Sequence, residues 1–93
     1  MRAVKFTGPS QVVLVDDAPK PEPKEGEVLV QCHYVALCGT NMGPYLGEGR
    51  WAPAVSKSPP GWLGHENIGT IVESRIAGWE PGTLVLAHPE DYK

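Results

Sequence analysis

Glycine and proline interrupt this chain at short intervals, and that spacing constrains its fold more than any other feature. The sequence contains 11 glycines and 10 prolines in 93 residues. Inside a helix these residues cost about 1 and 3 kcal/mol relative to alanine, so we do not expect a long helix. The hydrophobic fraction of 41% is nevertheless that of a folded chain. The composition therefore predicts one small, turn-rich domain built from short β-strands.

Charge and cysteine usage narrow the possible partners and compartments. The formal net charge is −3, and its scattered lysines and arginines offer no basic face for nucleic acid. No apolar stretch reaches the length of a membrane span, and the N-terminus has no leader-like cleavage pattern. Two cysteines are too few for a disulfide framework, so we expect a cytoplasmic protein.

Alternating apolar residues predict several strands separated by turns. Val4 and Phe6 precede a Gly-Pro-Ser turn and a second apolar run, so they begin a predicted hairpin. The other predicted strands cover residues 28–36, 67–74 and 84–87. A proline-rich surface connection is expected over residues 16–26.

Two further expectations concern the residues around the longest predicted strand. Its even positions share one face, which predicts that Cys32 is buried in the core beside Val30 and Tyr34. Residues 37–49 contain four glycines and a proline, so we expect a surface loop with at most a single helical turn.

The tryptophans are expected to cover the core edge; they are Trp51, Trp62 and Trp79. Two histidines, His33 and His88, stand alone without a ligand pattern.

Cys38, His65 and Glu66 are the candidate reactive side chains. Thiolate, imidazole and carboxylate are the ligand types that zinc accepts at catalytic sites. Their spacing alone leaves other interpretations open. Each residue has a plainer interpretation without a metal. Cys38 would then be a small buried hydrophobe, His65 would be a hydrogen-bonded loop residue, and Glu66 would be a solvated surface charge.

Two longer motifs surround these residues. They read Ala-Leu-Cys-Gly-Thr-Asn over residues 36–41 and Leu-Gly-His-Glu-Asn-Ile-Gly-Thr-Ile-Val over residues 63–72. Together they resemble the zinc-site signatures of the zinc-dependent medium-chain alcohol dehydrogenase family. The resemblance also extends through residues 1–4, 23–30 and 79–85, in the order that this family uses.

The resemblance implies a fold and a role for each matching residue. The fold is a mainly β, GroES-like, partly open barrel with short helical turns and long Pro/Gly-rich loops. Cys38 matches the thiolate ligand of the catalytic zinc and His65 its imidazole ligand. Glu66 matches a carboxylate at the metal, which coordinates it or exchanges with bound water. Thr40 matches a hydroxyl that hydrogen-bonds the substrate alcohol and starts a proton relay, although a turn-capping role is the plain alternative.

The chain also departs from the family pattern. Asn41 stands where the signature usually has aspartate, and the fourth zinc ligand of relatives has no counterpart in residues 1–93. No Gly-x-Gly-x-x-Gly motif is present to bind the nicotinamide cofactor NAD(P). These features suggest a truncated GroES-like domain with an incomplete zinc site.

Two functional hypotheses follow from the resemblance. The first is a zinc-binding portion of an alcohol or polyol dehydrogenase that needs a separate nucleotide-binding domain for turnover. The second is a free-standing GroES-like binding module without catalysis. A shortened barrel would leave strand edges unpaired, so we expect a homo-oligomer in either case.

Overall fold

The structure is a computed structural model, and it describes residues 1–49, 53, 57, 60 and 64–87. The described elements are five strands and one helix, so the predicted mainly β fold is confirmed. The chain divides into two compact units. Unit 1 comprises Met1–Lys20 and Leu37–Gly64, and unit 2 comprises Pro21–Ala36 and His65–Lys93.

Unit 1 contains the predicted hairpin and the helix. Strands β1 (Ala3–Gly8) and β2 (Gln11–Val15) pair antiparallel. Helix α1 (Gly39–Leu46) contacts this hairpin at two points. The Ser10 backbone N–H donates to the Tyr45 carbonyl at 2.6 Å. The Tyr45 ring also meets Phe6 edge to face, with centroids 5.8 Å apart.

Unit 2 contains an open antiparallel sheet in the order β3-β4-β5. Its strands are β3 (Val28–Ala36), β4 (Glu66–Ser74) and β5 (Leu84–Ala87), close to the predicted bounds. β4 lies in the centre and carries Ile71, which is 1% exposed. Among the described residues, Ile71 is the largest fully buried side chain, and in unit 1 the small side chain of Ala18 is buried. Such a small core agrees with the modest burial expected of a short chain.

Helix α1 corrects the prediction of a surface loop over residues 37–49. It spans eight residues and includes Pro44, which cannot donate a backbone hydrogen bond. Its ends are capped by Cys38, in extended conformation, and by Gly47, at φ 79° in the left-handed region. These caps and the contacts with the hairpin outweigh the low helix propensity of its glycines and proline.

The predicted burial of Cys32 is also wrong, because its side chain is exposed. The alternation of β3 breaks between Cys32 and Tyr34, where His33 is an extra residue without a partner on β4. Such a bulge shifts the side chains that follow to the other face of the sheet. Tyr34 pairs with Ile68 beyond the bulge and is 78% exposed, so neither Cys32 nor Tyr34 belongs to a buried face.

The remaining expectations concern the tryptophans and membrane contact. Trp79 is 51% exposed, whereas Trp51, Trp62 and His88 lie outside the described residues. Within the part of the chain that the structure describes, no helix has the length and apolar character of a membrane span.

Candidate functional site

Cys38 lies in unit 1, where it caps the start of helix α1. Its backbone is extended, with φ −103° and ψ 153°, as is usual for the residue that caps a helix. The side chain is half-buried and forms no disulfide. Two hydrogen bonds link Cys38 to Asn41: the Cys38 N–H donates to Asn41 Oδ1 at 2.9 Å, and the Asn41 N–H donates to the Cys38 carbonyl at 2.9 Å. The thiol is therefore attached to a well-defined first turn.

Thr40 lies in the same turn, beside the sulfur. Its hydroxyl donates to Cys38 Sγ at 3.4 Å and is exposed on the surface of unit 1. The structure thus brings Cys38 and Thr40 together. A hydroxyl beside a thiol can interact both with the sulfur and with a polar molecule that approaches it.

His65 and Glu66 lie in unit 2, at the start of strand β4. His65 precedes the strand and is half-buried, whereas Glu66 is its exposed first residue and pairs with Ala36 of β3. Gly64 adopts φ 138°, a backbone conformation that residues with side chains rarely adopt. The chain therefore enters the His-Glu pair through a bend that favours glycine.

Glu66 also borders an apolar recess that the sequence did not reveal. The recess has a volume of about 430 Å³ and opens to solvent on one face of the unit 2 sheet. It is lined by Tyr34, Ala36, Glu66, Ile68 and Leu86. Cross-strand pairing places these residues side by side only because of the bulge at His33. No local sequence signal identifies that bulge.

The other histidine and cysteine of the described residues make useful comparisons. His33 Nε2 lies 2.7 Å from Thr70 Oγ1, so one nitrogen of its imidazole is hydrogen-bonded within the sheet. Cys32 is exposed on β3. Cys38, His65 and Glu66 each offer one ligand atom, and each lies in a motif that the sequence singled out. The donors are a sulfur, a ring nitrogen and a carboxylate oxygen, which suit zinc.

Comparisons with known proteins add the family context. The family profile for the alcohol dehydrogenase GroES-like domain matches residues 24–93. An uncharacterized zinc-type alcohol dehydrogenase-like protein of Haemophilus influenzae is 34% identical over 92 residues, covering 96% of this chain and 25% of that protein. Sorbitol dehydrogenase of Bos taurus is 38% identical over 84 residues, covering 88% of this chain and 23% of that enzyme.

A third relative and the overall coverage complete the comparison. L-threonine 3-dehydrogenase of Xanthomonas oryzae is 30% identical over 89 residues, covering 94% of this chain and 26% of that enzyme. The chain thus spans about a quarter of the length of the curated relatives it matches. No solved structure is a significant match to the chain.

Proposed function

The chain belongs to the zinc-dependent medium-chain alcohol dehydrogenase family, whose GroES-like domain it carries, and on that premise we propose that it forms the zinc-binding part of an alcohol or polyol dehydrogenase. The observation that carries the proposal is the contact between Thr40 Oγ1 and Cys38 Sγ at 3.4 Å, inside the first motif. This contact places a sulfur, which is a soft metal ligand, beside a hydroxyl that can hydrogen-bond an alcohol.

Cys38 is the proposed sulfur ligand and His65 the proposed nitrogen ligand. Cys38 is free and half-buried, which suits a thiol that binds metal without being enclosed in an apolar core. His65 is also half-buried, in contrast to the exposed His33 that pairs with Thr70. Zinc, when bound, supplies Lewis acidity toward an alcohol or carbonyl oxygen.

Glu66 and Thr40 are proposed to act directly on the metal-bound water and on the substrate. Glu66 is exposed at the start of β4, so its carboxylate can approach or leave a metal with little desolvation cost. This exposure suits a carboxylate that exchanges with water. The Thr40 hydroxyl would orient the substrate oxygen and pass its proton toward solvent, because the residue is exposed.

The substrate is proposed to be a small alcohol or polyol. Relatives named as sorbitol dehydrogenase match the chain across both motifs. NAD(P), the proposed hydride acceptor, would be held by a nucleotide-binding domain outside these 93 residues, and we do not expect the 93 residues to turn over alone. Homo-oligomerisation and a cytoplasmic location remain predictions.

Metal analysis of paired variants tests the proposal. Protein purified without added metal should contain close to one zinc per chain. Cys38→Ala and His65→Ala should each lose most of that zinc, because each removes one ligand. The chain offers a matched control for each change, since Cys32→Ala and His33→Ala remove the same side-chain types from β3. Both controls should keep the zinc of the parent.

Two results would contradict the proposal. One is a folded parent that contains negligible zinc and takes up none when it is added. The other is equal zinc loss in the Cys38 and Cys32 variants, which would remove the distinction between the two thiols. Either result would instead favour a GroES-like module whose motif residues bind no metal.

A further inference from the structure

Asn41 is a polar side chain that the structure buries beside the proposed sulfur ligand. It is 8% exposed, and among the described residues no other polar or charged side chain is buried to this degree. Its Oδ1 accepts the Cys38 N–H at 2.9 Å. Burying an amide is costly unless it is hydrogen-bonded, so a specific interaction has to offset the burial of Asn41.

The contact with Cys38 is reciprocal. Asn41 occupies the third position of α1. Its side-chain oxygen accepts from the Cys38 N–H, and its own backbone N–H donates to the Cys38 carbonyl. This arrangement is a capping box, in which two donors at the helix start are satisfied at once. It restrains the backbone of Cys38 at both its N–H and its carbonyl, and this backbone sets the direction in which the side chain leaves the chain.

The bond to Cys38 needs an acceptor at position 41 but no negative charge. The donor is a neutral backbone N–H, and the oxygen of an amide accepts from it as the oxygen of a carboxylate does. The chain has asparagine where the family signature usually has aspartate. Asn41 therefore keeps the acceptor of that position without its charge.

We propose that Asn41 is a positioning residue, whose side-chain oxygen holds Cys38 in the orientation in which its sulfur binds metal. The metal part of this inference rests on the proposed function. The hydrogen-bond part concerns the protein without metal and is independent of it. Groups that orient a metal ligand typically change affinity by about 10- to 100-fold when they are removed.

The test compares Asn41→Ala and Asn41→Asp with the parent 93-residue chain. Co²⁺ is the probe, since a thiolate bound to it gives a charge-transfer absorption that reports on the sulfur itself. Asn41→Ala should weaken Co²⁺ binding by about tenfold. Asn41→Asp keeps the acceptor and should bind within about threefold of the parent. Gln11→Ala removes an exposed amide of the hairpin in the same unit and should leave binding unchanged.

Amide hydrogen exchange of Cys38, measured without metal, is the second readout. The exchange rate should rise in Asn41→Ala and stay near the parent value in Asn41→Asp, because only the alanine variant lacks the acceptor. Exchange in strand β4 reports whether each variant is folded. If both substitutions unfold the chain, Asn41 is a general stability residue and the positioning role is rejected.

The outcomes separate the two proposals. If the parent gives no sulfur-to-cobalt absorption, the proposed metal function fails, and the Cys38 exchange still decides whether Asn41 restrains that residue. If the parent binds Co²⁺ but Asn41→Ala binds it equally well, the positioning role is overturned while the metal function stands. An aspartate variant as weak as the alanine variant would overturn the claim that the acceptor atom suffices.

Discussion

Cys38 and the His65–Glu66 pair are held in contrasting ways. Cys38 is restrained by residues within three positions of it, through the capping box of α1 and the Thr40 hydroxyl. Glu66 is placed by pairing with Ala36, a residue far away in the sequence, and its strand is central in a sheet. Local restraints form with their own turn, whereas a strand register depends on the whole sheet. The two motifs should therefore respond to different mutations.

The largest effect is expected in the centre of β4. Ile71→Ala removes most of a side chain that is 1% exposed, which should lower the free energy of unfolding by about 3 kcal/mol. Val72→Ala is the matched control, because Val72 is 44% exposed on the same strand. Urea unfolding measures both changes. Similar losses in the two variants would contradict the view that burial at the centre of the sheet stabilises β4.

The next largest loss of stability is expected where two strands of the same sheet approach closely. A Cβ on Gly69 would collide with the backbone carbonyl of Gln31 and with the Val30 side chain. Gly69→Ala should therefore destabilise the chain by about 2 kcal/mol. At Gly39, in the first turn of α1, a Cβ would meet nothing within 4 Å. Gly39→Ala should be neutral or slightly stabilising, and the difference can be read from thermal unfolding.

The contribution of the helix caps to the stability of α1 is tested at its C-terminal end. Gly47 has φ 79°, and a Cβ there would lie 2.7 Å from the Pro9 side chain. Gly47→Ala should cost about 1–2 kcal/mol, since alanine rarely adopts the left-handed conformation. Amide exchange should rise in α1. A change confined to β4 would show that the helix is not the element affected.

The smallest effect concerns a surface ion pair. Arg75 and Glu73 form a contact of 3.3 Å with side chains 56% and 45% exposed. Arg75→Ala should change the free energy of unfolding by less than about 0.5 kcal/mol, because solvent and salt screen the pair. Urea unfolding at low and high salt provides the measurement. A larger, salt-dependent loss would show that surface charge stabilises this sheet.

Sequence patterns predicted the strands but not the helix. Alternation at residues 4–6 and 67–74 is a local property, so it indicated strands that the structure confirms. Helix α1 was missed because Gly43 and Pro44 disfavour it locally. It is stabilised by its caps, which are local, and by the contacts of Tyr45 with the hairpin, which are tertiary.

The sequence by itself determined the mainly β class, the order of the motifs and the donor types at Cys38, His65 and Glu66. These are properties of residue type and short-range spacing. Only the tertiary structure decided that Asn41 is buried against Cys38, that Cys32 is exposed and that Tyr34 borders a recess. Burial and register depend on partners distant in the chain, and a single bulge at His33 is enough to reverse the face on which later side chains lie.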